Sequence, residues 1–170
     1  MADDRRLAAV VETLDLRPEH HVLEVGCGHG VAATLVINRL TEGTYTGVDR
    51  SLPMIQASER RNRDAVASRR ARFVCASFAD APVDDRRFDR IFAARVRSMT
   101  HDRELERSRT LLAPGGLLVL AYDAPRGVDV QPVVDAAAER LREVGLRSVG
   151  VTTAHASEPF VWCVTGRAPR

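Results

Sequence analysis

The chain contains no lysine: all 25 of its basic positions are arginine. That absence excludes a lysine Schiff base or a lysine general base, and it excludes a Walker loop, whose lysine must reach a phosphate. A genome-wide codon bias explains it more simply than function does. Cysteine is scarce as well. Cys27, Cys75 and Cys163 lie far apart, without a Cys-x-x-Cys or close Cys/His spacing, so reduced thiols are expected, with no zinc site and no metal. No apolar run approaches the roughly 20 residues of a membrane span. The opening Met-Ala-Asp-Asp-Arg-Arg lacks the apolar core and cleavage site of a signal peptide, and a cytoplasmic location is expected.

What is present is the pattern of one α/β domain over residues 1–170. Leu7, Val10, Val11 and Leu14 recur at helical steps over residues 4–14. A strand over 21–26 runs into Gly26, Gly28 and Gly30. The helix marked by Val31, Leu35, Val36 and Leu40 follows. Tyr45 to Val48 reads as a second strand ending in Asp49, and Ser51 with Pro53 opens a helix expected to run to about residue 68. Strands are expected at 72–76, 88–93 and 117–122, with a helix near 102–112 ahead of Pro114-Gly-Gly116. The chain closes with a helix at 130–144 and strands at 146–153 and 160–165. This alternation predicts a three-layer α/β/α fold: a seven-stranded, mostly parallel sheet, helices on both faces, and an antiparallel C-terminal hairpin.

Open sheets of this kind bind ligands beyond the carboxyl ends of their strands, which is where the glycine loop falls. A dinucleotide fingerprint needs Gly-x-Gly-x-x-Gly, but the third position here is Val31 and Gly30 comes one residue early. Glu24, two residues before the first glycine, would repel a pyrophosphate and attract an ammonium or sulfonium. Asp49 can accept hydrogen bonds from both hydroxyls of a ribose. An adenosine with a cationic amino-acid tail suits both carboxylates.

Through Glu24-Val-Gly-Cys-Gly-His-Gly30, Gly47-Val-Asp-Arg-Ser51 with Met54, Phe88-Asp-Arg-Ile91 and Leu111-Leu-Ala-Pro-Gly-Gly116, the chain resembles the class I S-adenosylmethionine-dependent methyltransferases. The resemblance covers residues 20–122 by motif and the rest by topology. It implies S-adenosylmethionine as cofactor, with Glu24, Gly26 and Gly28 at its methionine part and Cys27 and Gly30 in the same loop. Asp49 would hold the ribose, Arg50 would lie against the adenine, and Met54 would stand nearby. Where the family commonly has an acidic residue after the third strand, this chain has Ser77, whose hydroxyl can accept the adenine amino bond, followed by Phe78, whose N–H can serve the ring nitrogen. Ala94, just past the fourth strand, completes the expected cofactor set. Cys27 reads as a small hydrophobe rather than a nucleophile.

Methyl transfer from a sulfonium mainly needs acceptor and methyl held in line, so few catalytic side chains are expected. His101, shortly after the fourth strand, is the candidate general base for a hydroxyl acceptor, with a surface or helix-capping histidine as the other reading. Arg95, Arg97 and Tyr122 are candidates for the acceptor pocket, and the two arginines could hold an acidic substrate. His29, His155 and Asp123 read as lining or structure. The stretch Ala93-Ala-Arg-Val-Arg97 is not the Asn/Asp-Pro-Pro-Tyr/Phe signature of amide and exocyclic-nitrogen methylation, and the missing lysines remove the Lys-Asp-Lys-Glu set of ribose methylation. Arginines 60, 61, 63, 69, 70 and 72 are interrupted by Glu59 and Asp64, lack aromatic neighbours, and accompany a net charge of only +2. They read as a solvated helix face rather than a nucleic-acid surface. The expected protein is a near-minimal methyltransferase without a substrate-cap insertion, acting on a small molecule. The N-terminal helix, the 95–101 loop or a second subunit in a homodimer would enclose the acceptor. RNA or protein methylation, and a noncatalytic cofactor- or partner-binding module, stay open as alternatives.

Overall fold

The computed structural model describes residues 2–83, 86–96, 99, 101–123, 128–154 and 161–170, and for residues 2–4 the backbone alone. Among them, thirteen elements follow in the order α1 (Ala2–Thr13), β1 (His21–Val25), α2 (Val31–Ile37), β2 (Thr44–Asp49), α3 (Leu52–Arg61), α4 (Arg63–Ala67), β3 (Ala71–Cys75), β4 (Phe88–Ala94), α5 (Asp102–Leu111), β5 (Leu112–Asp123), α6 (Gln131–Glu143), β6 (Arg147–Ala154) and β7 (Val161–Arg167). The strands form one seven-stranded sheet in the order β3-β2-β1-β4-β5-β7-β6. β1 pairs in parallel with β2 and β4, β2 with β3 and β4 with β5, whereas β7 runs antiparallel to both β5 and β6. The expected architecture is thus the observed one. The chain leaves β1 toward β2 on one side and reaches β4 on the other, so the carboxyl end of β1 opens at the switch point where α/β sheets bind ligands.

Both faces of the central strands are apolar because both are covered. Val10, Val11 and Leu14 pack with α2, Tyr45, Phe92 and Val119 on one face. Leu105 and Leu111 of α5 and Val134, Ala138 and Leu141 of α6 cover Leu23, Ile91 and Leu118 on the other. Arg90 fastens α1 to the sheet: it is 6% exposed, and its guanidinium donates to the carbonyls of Leu14 and Asp15 just past the helix end. Those carbonyls have no partner within the helix, and the arginine satisfies them.

Two boundaries differ from expectation. The helix expected over 52–68 is two helices, broken at Asn62, whose backbone (φ −113°, ψ 27°) leaves helical geometry. Pro114-Gly-Gly116 belongs to β5 rather than to a loop before it. Its pairing with β4 shifts register between Phe88 and Arg90, and the C-terminal end of the chain completes it, since Ala168 N–H donates to the Gly116 carbonyl at 2.9 Å. None of the helices among the described residues is long and apolar enough to cross a membrane.

Candidate functional site

The glycine loop leaves β1 by bonding across to β2. The N–H groups of Gly26 and Cys27 both donate to the Val48 carbonyl, at 2.7 and 3.1 Å, and Gly28 N–H donates to Asp49 Oδ2 at 3.0 Å. All three glycines have positive φ, 74°, 52° and 80° at Gly26, Gly28 and Gly30, a region that a Cβ disfavours. Their surroundings differ. A Cβ on Gly26 would collide with the Val96 side chain, and one on Gly30 would meet Asn62 Nδ2 at 2.8 Å and Ser58 Oγ at 2.9 Å. A Cβ on Gly28 would meet no heavy atom of the described residues within 4 Å. Only Gly28 leaves its space open.

Helix α3 and the residue after it brace the loop from below. Ser58 Oγ donates to the Gly28 carbonyl at 2.7 Å, and Arg61 Nε donates to that of His29 at 3.0 Å. Buried Asn62 donates to the carbonyls of Gly30 (3.3 Å) and Ser58 (3.0 Å) and accepts from the Thr34 hydroxyl at 2.8 Å. The helix break at Asn62 and the loop's shape are therefore one feature: the amide that caps α3 also ties the loop down. Nothing in the spacing of apolar residues signalled this clamp, although an asparagine and a buried serine inside an arginine-rich helix are unusual enough to have prompted the question.

Glu24 lies under the loop, 3% exposed, and accepts a hydrogen bond from the Tyr45 hydroxyl. Burial pushes its carboxyl up to about 8; the Tyr45 bond opposes the rise and the nearby Asp49 charge adds to it. Cys27 is also buried, and burial pushes its thiol well above the ordinary range, so it is not a nucleophile at neutral pH. Its Cβ occupies the space left by Gly47, where an added Cβ would lie 3.0 Å from it.

Above the loop a crevice of about 470 Å³ runs past Val25, Gly26, Asp49, Arg50, Ala76, Ser77, Phe78, Ala94, Arg95, Val96 and Glu104. It brings together seven of the residues expected from sequence: Gly26, Asp49, Arg50, Ser77, Phe78, Ala94 and Arg95. Asp49 anchors the middle, its second oxygen accepting the Ser51 N–H at 2.9 Å. Each oxygen keeps a lone pair for a ligand, because a carboxylate offers about four acceptor sites. Ser77 donates its hydroxyl to Asp80, and Phe78, 6% exposed, has the Arg107 guanidinium 5.6 Å from its ring centroid.

The other expected residues lie elsewhere. Met54 is 42% exposed on α3. His101 stands at the start of α5 with its side chain 71% exposed, making no capping bond, and its Nδ1 is 3.9 Å from Glu104. Tyr122 is partly buried near the end of β5, and burial pushes its hydroxyl up to about 12. Arg95, with φ 62°, is held 3.6 Å from Asp123, which also pairs with Arg6 of α1 at 3.4 Å. The N-terminal helix is thereby linked through Asp123 to Arg95 at the edge of the crevice. Arg97 and His155 lie outside the described residues. Glu104, which lines the crevice, was missed by sequence reasoning because an acidic residue in a first helical turn needs no function to explain it. Among the described residues no group of three His, Cys, Asp or Glu is placed to hold a metal.

A family model described as a methyltransferase domain matches residues 22–116. Methyltransferase GfsG of Streptomyces halstedii is 33% identical over 74% of this chain and 46% of its own length. A fatty-acid O-methyltransferase of Mycolicibacterium smegmatis is 32% identical over 62% and 38%. The chain thus spans less than half the length of these relatives. Among solved structures, the [4+2]-cyclase SpnF superposes with TM-score 0.78 at 19% identity, covering 98% of this chain and 81% of that one. Magnesium protoporphyrin IX methyltransferase of Synechocystis, with bound S-adenosylmethionine, gives 0.74 at 14% identity over 98% and 80%.

Proposed function

From the premise that the chain belongs to the class I, S-adenosylmethionine-dependent methyltransferase family, we propose that it transfers a methyl group from that cofactor to a small-molecule acceptor. The observation that carries this reading is Asp49 in mid-crevice, bonded to the glycine loop and facing the space above it. The residues fit the cofactor. The crevice volume lies within the roughly 300–1,000 Å³ of small-molecule sites, no described residue crowds Gly28, and Asp49 has acceptor capacity for both ribose hydroxyls. Bound S-adenosylmethionine supplies a methyl already activated on sulfonium sulfur, for an in-line displacement.

The chain's own residues then hold and orient. Asp49 fixes the ribose, the glycine loop carries the amino-acid tail, and Arg50, Ser77 and Phe78 bound the adenine side. Cys27 and Gly30 shape the loop from beneath, and Met54 stands outside it. Glu24, largely protonated at neutral pH, supports the loop through Tyr45 and gains attraction for a cationic tail when it ionises. Arg95, Arg97 and Tyr122 are assigned to the acceptor side, and His101 to proton removal where the acceptor is a hydroxyl. We assign the closing of that side to α1 or to the second subunit of a homodimer. One relative supports a lipid acceptor by name, being a fatty-acid O-methyltransferase.

The test is calorimetric titration with S-adenosylhomocysteine, followed by transfer of labelled methyl into small-molecule extracts. Saturable binding and a labelled low-molecular-mass product are expected. Asp49→Ala should weaken binding by roughly 2 kcal/mol or more, as loss of charge-assisted bonds does. Label that enters only protein or RNA, in a complex dissolved by salt, would redirect the reading to a polymer. Binding without any transfer would favour the noncatalytic module. The same fold is shared with a cyclase, so methyl transfer has to be tested rather than taken from the fold.

A further inference from the structure

The crevice is lined by two carboxylates, Asp49 and Glu104. Only the first has been given a task. Glu104 sits in the first turn of α5 with its side chain 15% exposed. Its neighbours on the helix fix which half of the crevice it faces. Arg103 reaches Asp80 at 3.5 Å; Arg107 donates to the Ala81 carbonyl at 2.7 Å and lies over Phe78. These contacts bracket Glu104, so the start of α5 runs along residues 78–81, the segment that follows β3.

An adenosine anchored by its ribose at Asp49 extends in two directions. Its amino-acid tail goes to the glycine loop beside β1, which leaves the base toward Ala76, Ser77 and Phe78 beyond β3. The exocyclic amino group of adenine is a donor and needs an acceptor when buried. Ser77, whose hydroxyl donates to Asp80, offers the amino group only a neutral oxygen, and a neutral acceptor makes a weaker bond than a carboxylate. An ionised glutamate only accepts, and Glu104 is the carboxylate that lines this half.

We propose that Glu104 accepts the hydrogen bond of the adenine amino group, supplying from α5 the carboxylate that the chain lacks at the end of β3. The assignment rests on the cofactor reading above. It makes Glu104 a specificity residue for the base: a 6-oxo purine, which presents an oxygen and a ring N–H in place of the amino group and bare nitrogen, sets oxygen against carboxylate and is rejected.

The experiment compares S-adenosylhomocysteine with S-inosylhomocysteine by calorimetry on the full chain. Wild-type protein should favour the adenosyl ligand by about tenfold or more, the scale of one charge-assisted bond. Glu104→Gln, whose amide can donate to the 6-oxo oxygen, should bring the ratio near one or invert it. Glu104→Asp keeps the charge but shortens its reach, and should weaken adenosyl binding about tenfold while leaving ribose-dependent inosyl binding nearly unchanged. This second variant decides the matter where the glutamine variant does not fold. If wild type binds the adenosyl ligand well and both variants retain its affinity and ratio, the role of Glu104 is overturned while the cofactor reading stands. If wild type binds neither ligand, the cofactor reading itself falls, and this assignment with it.

Discussion

Replacing Glu24 with glutamine should stabilise the protein above about pH 6 and flatten its pH dependence. Glu24 is 3% exposed, and loss of water from its carboxyl is the main reason its pKa rises from 4.5 to about 8. The folded protein therefore holds a proton that the unfolded chain has already released throughout that interval. With more protons bound in the folded state, unfolding free energy falls as pH rises, by at most about 1.4 kcal/mol per pH unit. The contribution is complete below pH 4.5 and lost above about 8. Over the whole window it amounts to roughly 5 kcal/mol, of which roughly 3 kcal/mol is already lost at pH 7. Glutamine can still accept the Tyr45 hydrogen bond through its carbonyl oxygen, but it does not titrate. Urea unfolding followed by the fluorescence of Trp162, at pH 5, 6, 7 and 8, should show the variant gaining on wild type by about 1 kcal/mol per pH unit. Histidines and surface carboxylates are common to both proteins and cancel in the difference. Equal pH dependence in the two would refute the reasoning.

Asn62→Ala removes a buried amide that bonds the Gly30 and Ser58 carbonyls and the Thr34 hydroxyl. It should cost about 1–3 kcal/mol of stability and weaken S-adenosylhomocysteine binding several-fold, with chemical denaturation and calorimetry as readouts; unchanged affinity would separate the clamp from the site. Gly47→Ala places a Cβ 2.9 Å from Phe73 Cδ1 and 3.0 Å from Cys27. Overpacking of that kind should cost about 1–3 kcal/mol, seen as a lowered thermal midpoint, and a midpoint equal to wild type would show that the loop yields freely. Asp123→Asn loosens Arg6 and Arg95, but because both pairs are partly solvated it should change stability by less than about 1 kcal/mol. A larger loss in urea unfolding would mean that this carboxylate holds α1 in place.

The sheet could be read from sequence because its strands must be apolar on both faces, and short apolar runs between helical patterns leave few other arrangements. That Gly26, Asp49, Ser77 and Ala94 would share one crevice was readable for a related reason. Backbone turns need glycine, and a ribose needs an acceptor at a strand end, so residue type there carries geometry. The same logic fails at Asn62. Helical periodicity continues through residues 63–67, and no local signal separates an asparagine that breaks a helix from one on its surface. It fails again at Pro114-Gly-Gly116, which reads as a loop until strands distant in sequence pair with it. Glu104 was unreadable for a third reason: its partner in the crevice, the end of β3, lies some thirty residues earlier in the sequence. Only the packing of α5 on residues 78–81 brings them together.

The three glycines that look alike in sequence illustrate the difference between recognising a motif and explaining a site. All three occupy a backbone region that favours glycine, yet each has another reason to lack a side chain. Gly26 yields space to Val96 from the opposite wall of the crevice, and Gly30 yields space to Ser58 and Asn62 below the loop. Those two glycines are demanded by the protein itself, with or without a ligand. Gly28 faces empty space while its N–H is held by Asp49 and its carbonyl by Ser58. There the structure offers a fixed backbone, and no packing contact of the described residues accounts for the open space beside it. Open backbone beside a carboxylate with acceptor capacity to spare is what supports the cofactor reading proposed above. The spacing of the three glycines carries the resemblance to the family; the middle one, set against Asp49, is where the proposed cofactor site meets its test.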